Sequence, residues 1–220
     1  MFKLFLTAYG YDVYTAEDGE RGLALFSEIH PEIVFTDIKM PGIDGLEVLR
    51  RIRKTDISSE VIIITGHGDM EMAVEALDLN ASDFINKPVE RQALNAALAR
   101  AEKRKQMQPN PPFEVAGETQ KGSLAVFVKG KLTASAKEPL GSFFKAKEFN
   151  DVTEVRLILD DSFSIDRSGI SLLMTIIRDL KQKNRTIIME NLSYNYVRVF
   201  QMAGIDKMAT LKEALPDELI

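Results

Sequence analysis

The chain of 220 residues contains no cysteine and no tryptophan. Without cysteine it has neither a disulfide framework nor a thiolate metal site, and a reducing compartment is the expected location. Long apolar runs are also missing, since a run such as Val61 to Ile64 is far shorter than a membrane span. Residues 1–8 lack the basic flank and cleavage site of a signal peptide. We therefore expect a cytoplasmic protein with no membrane segment.

Clustered positive charge is scarce as well. Lysine and arginine number 28 against 33 aspartates and glutamates, which gives a formal net charge of −5. Only Arg100 to Lys105 is locally basic, and cations are common at the C-terminal end of a helix. Affinity for nucleic acid comes mainly from clustered lysine and arginine, so no nucleic-acid partner is expected. The hydrophobic content of 45% suits folded cores, and the length favours two small domains.

Short apolar runs alternate with amphipathic stretches through the first half of the chain. The predicted strands are 12–14, 33–36, 61–65 and 83–85, and the helix after the last of them is predicted to begin near Pro88. Such alternation is typical of a parallel sheet wrapped by helices. Three prolines then interrupt the pattern. We place a first domain at 1–105, a linker at 106–112 and a second domain at 113–220.

The second half is predicted to form an α/β domain. Its sheet is predicted to be mixed, because two neighbouring strands precede the first helix. Strands are expected at 113–115, 124–128, 155–159 and 186–189, and helices at 139–147, 170–180 and 194–202.

Three polar residues follow successive predicted strands of the first domain: Asp37, Thr65 and Lys87. The C-terminal ends of parallel strands meet at one edge of the sheet, where ligand sites form. A carboxylate can act there as a nucleophile, while a hydroxyl and an ammonium hold phosphoryl oxygens. Taken singly, each residue could be a loop cap, a strand end or a surface cation. Together they indicate a phosphoryl-transfer site.

The motifs around these residues resemble the receiver domain of bacterial response regulators. They are T-D-I-K-M-P-G-I-D-G at 36–45, I-I-I-T-G-H-G at 62–68 and A-S-D-F-I-N-K-P at 81–88. The resemblance implies a flavodoxin-like parallel sheet and a sensor histidine kinase as partner.

The same resemblance assigns roles to individual residues. Asp37 would be the phosphoacceptor, Thr65 the switch hydroxyl, Phe84 the switch aromatic and Lys87 the phosphoryl-binding cation. Asp37 and the backbone carbonyl of Lys39 would be ligands of Mg²⁺. A phosphatase of the haloacid-dehalogenase type is the enzymatic alternative, but it normally carries a second aspartate where Lys39 stands.

The receiver resemblance begins late. Residues 1–8 look like the inside of the first helix, and the family's first strand and the acidic pair after it have no counterpart. Magnesium would then be bound weakly or not at all. The sheet would also lack a central strand, and we expect such a domain to be unstable. Our expectation is an upstream extension or a truncated record; the alternative is a degenerate receiver completed by a partner or a swapped strand.

The segment 164–170 joins a predicted buried strand to an amphipathic helix. Free backbone N–H groups and the helix dipole at such a turn favour an anion, so Ser168 is well placed to carry a phosphate. Alternatively, Asp166 or Ser168 simply caps the helix.

This segment lies in a region that resembles the STAS domain of anti-sigma-factor antagonists. The matching motifs are V-R-L-I-L-D-D at 155–161, I-D-R-S-G-I-S-L-L at 165–173, G-K-L-T-A at 130–134 and V-F-Q-M-A-G-I at 199–205. The resemblance implies that an anti-sigma factor with kinase activity phosphorylates Ser168. It also implies a partner-binding surface at Asp166, Arg167, Ser168 and Gly169. Arg167 departs from the small residue often found at its position.

We therefore interpret the chain as a two-component response regulator with an anti-sigma-factor-antagonist output, which binds partners and is not an enzyme. Phosphorylation of Asp37 would change how the second domain meets an anti-sigma or kinase-like partner. A scaffold subunit of a signalling assembly, without phosphorylation at Ser168, is the second hypothesis, and an aspartyl phosphatase is the third. The sequence leaves homodimer formation open.

Overall fold

A computed structural model of the chain describes residues 2–66, 70–107, 111–145 and 151–214. Helices and strands alternate in its first half, as the apolar runs predict. The elements are α1 (Phe2–Ala8), α2 (Gly19–Ile29), β1 (Ile33–Asp37), α3 (Gly45–Thr55), β2 (Glu60–Thr65), α4 (Met70–Asp78), β3 (Asp83–Asn86) and α5 (Arg91–Lys105).

The N-terminal sheet has three parallel strands in the order β1-β2-β3. Successive side chains of a strand point to opposite faces. Accordingly, Val61 and Ile63 join a cluster with α2, α3 and α4, whereas Ile62 packs with α1 and α5 on the other face. Leu6 of α1 is buried in that second cluster. Helices on both faces of a parallel sheet confirm the predicted fold class of this half.

The predicted strand at 12–14 is wrong, because residues 11–16 have no regular secondary structure. A strand needs hydrogen bonds to a neighbour, and none of the described strands runs alongside this segment. Its alternating apolar side chains are nevertheless used, since Tyr11 and Val13 pack against the second cluster. The start of α5 also differs from the prediction: the helix begins at Arg91 with Glu90 as N-cap, and Pro88 precedes it.

The second half contains a mixed sheet, as predicted. Its elements are β4 (Glu114–Gln120), β5 (Ser123–Lys129), β6 (Lys131–Leu132), a 3-10 turn (Ala134–Ala136), α6 (Lys137–Lys145), β7 (Glu154–Leu159), β8 (Ser164–Ile165), α7 (Arg167–Gln182), β9 (Thr186–Leu192), α8 (Tyr194–Met202), a second 3-10 turn (Ile205–Lys207) and β10 (Thr210–Glu213). Residues 146–147 of the predicted helix 139–147 lie outside the described residues.

The larger C-terminal sheet has the order β10-β9-β7-β5-β4, with β4 antiparallel to β5 and the other neighbours parallel. Alternate residues of β5, β7 and β9 are buried, and α6, α7 and α8 contact the strands of this sheet. A separate two-stranded parallel sheet pairs β6 with β8 and leads directly into α7.

The two halves share one apolar core. A single cluster of buried residues includes Leu77 of α4 together with Ile165, Ile170 and Tyr196 of the second half. Helix α4 contacts α7, α8 and β8, while α5 and β3 contact α8. The described parts of the predicted linker connect α5 to β4, and residues 108–110 lie outside the described residues. The boundaries at 105 and 113 stay predictions.

Candidate functional site

The three polar residues predicted to form a phosphoryl site do lie at one edge of the N-terminal sheet. Asp37 ends β1 opposite Ile64, and Thr65 ends β2 opposite Asn86. The next residue after β3 is Lys87, whose backbone N–H donates to the carbonyl oxygen of Thr65 at 2.7 Å. Parallel pairing therefore brings the three residues together from strands that are distant in sequence.

The Asp37 carboxylate is held by two nitrogen donors. Lys87 Nζ forms an ion pair with Oδ2, and the backbone N–H of Lys39 donates to Oδ1 at 3.1 Å. The side chain of Asp37 remains 29% exposed, so a small molecule can reach it from solvent. Cationic and N–H donors around an accessible carboxylate suit a group that gains further negative charge on phosphorylation.

The loop after Asp37 passes close to it because Gly45 has no side chain. A Cβ at Gly45 would lie 2.2 Å from the carbonyl oxygen of Asp37. The neighbouring acid, Asp44, is used differently: its side chain accepts from the backbone N–H of Glu47 at 2.7 Å and caps α3. Asp44 is therefore an exposed N-cap, and Asp37 is the carboxylate that Lys87 and the backbone of Lys39 contact.

Thr65 and Phe84 are both almost fully buried, each with 1% exposure. Within the described part of the chain, the Thr65 hydroxyl oxygen has no hydrogen-bond partner. A buried hydroxyl without a partner is unfavourable, and an added acceptor nearby would satisfy it. Phe84 packs in the cluster that continues into the second half. The switch roles of both residues stay predictions.

The described residues do not fit a magnesium site at this edge. Among them, no group of three or more histidines, cysteines, aspartates or glutamates could hold a metal ion. Mg²⁺ prefers six oxygen ligands, whereas the oxygens of Asp37 are engaged by Lys87 and by the N–H of Lys39. The predicted ligation by Asp37 and the Lys39 carbonyl gains no support from these contacts.

The second predicted site, at Ser168, lies at the start of α7. Asp166 is the N-cap of this helix, and its Oδ1 accepts from the backbone N–H of Gly169 at 2.8 Å. Ser168 is exposed; its hydroxyl donates to Asp166 Oδ1 at 2.6 Å and accepts from the N–H of Ala134 at 2.9 Å. The capping interpretation is therefore correct for Asp166, and it leaves the Ser168 hydroxyl at the surface.

Gly169 allows α7 to begin directly against β6. A Cβ at this position would lie 2.0 Å from the carbonyl oxygen of Leu132. The close approach fixes the Ser168 turn beside Ala134, at the start of the 3-10 turn that follows β6. The glycine of the motif is thus required by packing.

Sequence reasoning missed Asp78, which contacts this turn from the other half of the molecule. Asp78 is the last residue of α4, and its Oδ1 accepts from the backbone N–H of Arg167 at 2.7 Å. Its Oδ2 lies 3.3 Å from Arg167 Nε. Beside this pair, Lys131 Nζ donates to the side chain of Asn80. No local motif signals a contact between residues 89 positions apart.

A cluster of buried polar side chains around Arg100 lies deeper in the interface between the two halves. Arg100 of α5 donates to the carbonyl oxygen of Phe163, and its guanidinium lies 4.4 Å from the ring centroid of Tyr196. Asp83 is buried nearby, and burial raises its pKa above the ordinary value, although Arg100 opposes the shift. These contacts tie α5 and β3 to the second half.

A cavity of about 370 Å³ lies between the halves, at the opposite end of the N-terminal sheet from Asp37. Its acidic lining residues already have partners: Glu32 pairs with Lys105, and Glu60 lies 3.3 Å from Arg104. The hydroxyl of Ser58, together with further hydrogen bonds from its neighbourhood, lowers the pKa of Asp56 to about 2. The acidic side chains of the cavity are therefore ion-paired or hydrogen-bonded within the protein, although Glu60 Oε2 and Arg104 Nη1 lack hydrogen-bond partners among the described residues.

Within the described ranges, none of the helices combines the length and apolar character needed to cross a membrane.

Two family models match the chain. The response regulator receiver domain matches residues 1–99, and the STAS domain matches residues 74–217.

Curated relatives include regulatory protein AtoC of Escherichia coli, 36% identical over 102 residues, which are 45% of this chain and 22% of AtoC. Transcriptional regulatory protein AfsQ1 of Streptomyces coelicolor is 42% identical over 96 residues, covering 44% of this chain and 42% of that protein. FixJ of Rhizobium meliloti is 40% identical over 96 residues, covering 44% and 47%. The chain thus spans less than half the length of each of these relatives.

Solved structures similar to part of the chain include a response regulator receiver domain protein from Clostridium thermocellum. It is 38% identical with a TM-score of 0.46, covering 48% of this chain and 85% of that one. The STAS match extends over more than half of the 220 residues. The chain therefore belongs to the STAS domain family, and its N-terminal part is a response regulator receiver domain.

Proposed function

We propose that the chain is a bacterial phosphorelay response regulator with an anti-sigma-factor-antagonist-type output, which acts by phosphorylation-controlled binding of protein partners. The observation that carries this proposal is the placement of α4. The helix follows the strand end where Thr65 lies and reaches the Ser168 turn with Asp78. A change at the receiver site thus has a direct structural route to the surface of the STAS domain.

The first step of the proposed function is transfer of a phosphoryl group to Asp37. A carboxylate oxygen attacks the phosphorus of a phosphodonor, the bond to the donor breaks, and an acyl phosphate remains on Asp37. The sensor histidine kinase is the proposed donor. Lys87 would neutralise charge on the phosphoryl oxygens, and the partnerless Thr65 hydroxyl would donate to one of them.

The proposed phosphoryl transfer to Asp37 includes no step that uses Mg²⁺. Receiver domains typically bind Mg²⁺, but the described residues contain no group of three or more histidine, cysteine, aspartate or glutamate side chains that could hold a metal ion, and Asp37 is ion-paired with Lys87. Everything proposed above uses side chains of the chain itself.

The second step is binding at the STAS surface formed by Asp166, Arg167, Ser168 and Gly169. An exposed hydroxyl at a helix start suits both a kinase-like partner that phosphorylates it and a phosphate that remains there. The proposed partner is an anti-sigma factor or a related kinase-like protein. Binding of this kind needs no turnover, so we propose an interaction protein and not an enzyme.

The receiver step is tested by treating the purified chain with acetyl phosphate and Mg²⁺ and measuring its mass. The expected product carries one acid-stable, base-labile phosphate, and Asp37→Asn should abolish it because an amide is not a nucleophile. Asp44→Asn is the matched control, since Asp44 caps α3 in the same loop. Labelling that survives in Asp37→Asn, or no label in the unaltered chain, would refute phosphorylation at Asp37.

The STAS step is tested with the purified kinase-like partner and ATP. The unaltered protein and Ser168→Ala should bind the partner, while Ser168→Asp should bind at least about tenfold more weakly because the introduced charge is desolvated in the interface. Ser164→Asp and Ser171→Asp are the controls on either side of the turn. Equal binding by Ser168→Ala and a folded Ser168→Asp, with no phosphate on Ser168, would favour the scaffold hypothesis instead.

A further inference from the structure

The contact between Asp78 and Arg167 places a receiver carboxylate on the proposed partner-binding turn. Both oxygens of Asp78 are used: Oδ1 accepts the backbone N–H of Arg167 at 2.7 Å, and Oδ2 lies 3.3 Å from its Nε. The Asp78 side chain is 35% exposed and that of Arg167 is 62% exposed. The contact is thus at the rim of the interface, where it can open without exposing the shared core.

The start of a helix favours anions, because its first N–H groups lack intrahelical partners. In α7, the N–H of Gly169 is taken by Asp166 and the N–H of Arg167 is taken by Asp78. One of these carboxylates comes from the STAS domain itself, and the other comes from the receiver domain. The anion that the sequence predicts at this turn is therefore already present as Asp78.

A second contact beside the turn strengthens the placement of α4. Asn80, just after α4, accepts from Lys131 Nζ, and Lys131 precedes Leu132, whose carbonyl oxygen faces Gly169. Helix α4 also contacts α7 and β8. The end of α4 thus covers the strand and the helix start on one side of Ser168.

A phosphate on Ser168 conflicts with this arrangement. Phosphorylation replaces the proton that the Ser168 hydroxyl donates to Asp166, and it adds about −1.5 to −2 charges at neutral pH. The nearest cationic side chain in the turn is that of its neighbour Arg167, which Asp78 already binds. The phosphate would compete with Asp78 for the guanidinium and repel its carboxylate.

We propose that Asp78 is an intramolecular occupant of the partner-binding turn, and that its contact with Arg167 and phosphorylation of Ser168 exclude each other. A partner that docks on the turn must displace Asp78, so the receiver domain competes with the partner for this surface. The Arg167 guanidinium adds a second contact to the one that the backbone N–H of the same residue makes with Asp78. The inference rests on the proposed function for the identity of Ser168 as phosphoacceptor.

The test measures amide hydrogen exchange by NMR in the 220-residue chain, without any partner. The reporter is the Arg167 amide, which Asp78 binds, and the internal control is the Gly169 amide, which Asp166 binds. In Asp78→Ala, the Arg167 amide should exchange at least about tenfold faster while the Gly169 amide is unchanged. Phosphoserine incorporated genetically at position 168 should accelerate the Arg167 amide in the same way. The control amide in that protein is Ile170, which donates to the backbone carbonyl of Asp166, because the Asp166 oxygen that binds Gly169 also loses its hydrogen bond from Ser168.

Two variants control for general effects of charge. Thr175→Asp adds an acid about two turns further along α7, and Glu75→Ala removes an exposed acid from α4; both should leave the Arg167 amide protected. Unchanged Arg167 exchange in Asp78→Ala or in the phosphoserine protein would overturn the inference. Equal acceleration of the Arg167 and Gly169 amides in Asp78→Ala, or of the Arg167 and Ile170 amides in the phosphoserine protein, would overturn it too, because the helix start would then have frayed.

The design separates this inference from the proposed function. If the kinase-like partner never phosphorylates Ser168, the proposed output is wrong. The exchange experiment still reports on Asp78, because the phosphoserine at position 168 is incorporated genetically and needs no kinase. If the partner phosphorylates Ser168 but the Arg167 amide does not respond, the output stands and the competition with Asp78 is wrong.

Discussion

Gly169 fixes the surface around Ser168, and Gly141 of α6 provides a comparison. Replacing Gly169 by alanine would bring a Cβ to 2.0 Å from the carbonyl oxygen of Leu132, whereas a Cβ at Gly141 meets nothing within 4 Å. Gly169→Ala should therefore lower the free energy of unfolding by about 1–3 kcal/mol. Gly141→Ala should leave it unchanged or raise it by up to about 1 kcal/mol. Urea denaturation measures both, and equal effects would contradict the steric argument.

A second prediction at this scale concerns Asp83, whose pKa is raised above its ordinary value of 3.8 because the carboxyl is buried. The folded state then holds the proton more tightly than the unfolded state does. The stabilisation linked to Asp83 is present below 3.8 and is lost as pH rises through the raised pKa. Asp83→Asn should therefore stabilise the protein at neutral pH, and its advantage over the unaltered chain should grow from acid to neutral pH in chemical denaturation.

Asp56 supplies a control of opposite sign. Hydrogen bonds, that from Ser58 above all, lower its pKa from 3.8 to about 2. Its stabilisation is thus present above 3.8 and is lost as pH falls towards 2. Asp56→Asn should destabilise the protein at neutral pH, with a difference that shrinks in acid. If both variants followed the same pH trend, burial would not be the cause assigned to Asp83.

Residues within motifs could be identified from the sequence, and residues of the domain interface could not. Asp37 and Lys87 end or follow strands whose pairing brings them together, so their meeting follows from a parallel sheet. Ser168 is recognisable from its turn. Asp78 and Arg100 look like ordinary charges on helices, and only the docking of the two domains gives them partners.

At the scale of elements, α5 carries a prediction through Arg100. This side chain donates to the Phe163 carbonyl and lies over the Tyr196 ring, and both groups are buried in the STAS domain. Arg100→Ala leaves the carbonyl without its donor and removes the cation from the ring, so a loss of about 3 kcal/mol in unfolding free energy is expected. Thermal and urea denaturation measure this loss.

Arg91 is the matched control on the same helix. It lies 5.6 Å from the centroid of the Phe5 ring, but it is exposed. Arg91→Ala should cost no more than about 1 kcal/mol. Losses of similar size in the two variants would show that the helix, and not the interface, accounts for the effect of Arg100.

The elements were mostly predictable because their apolar periodicity reflects one buried face. Helix α8 has the predicted bounds, and strands β1, β2 and β3 agree within a residue. The segment 12–14 was misassigned because alternation reports which side chains are buried and does not report whether a neighbouring strand exists. Val13 is packed as a strand residue would be, but its backbone has no ladder to join.

At the scale of the whole molecule, the shared core predicts cooperative unfolding. Buried residues of α4 lie in one cluster with residues of α7 and α8, so neither half can unfold without exposing apolar surface of the other. Scanning calorimetry should show a single transition whose van't Hoff and calorimetric enthalpies agree. Two resolved transitions would mean that the domains are only loosely associated.

The order of the two domains along the chain could be predicted from their motifs, but the way in which the two domains pack against each other could not. The apolar residues of α4 and α8 that meet at the interface follow the same helical periodicity as residues buried within each domain. Periodicity identifies a buried face without naming what covers it. The contact between α4 and the Ser168 turn could therefore not be predicted from the sequence.

The length of helix α4 determines how far Asp78 moves when the helix rotates. Its nine residues, from Met70 to Asp78, make a rod of about 13 Å at about 1.5 Å per residue. A tilt of about 10° at its first residue would move its last residue by about 2 Å. The hydrogen bond from the Arg167 backbone N–H to Asp78 measures 2.7 Å, so a displacement of Asp78 by about 2 Å away from Arg167 breaks it. A rotation of this size at the start of α4 would therefore separate Asp78 from the turn that carries Ser168.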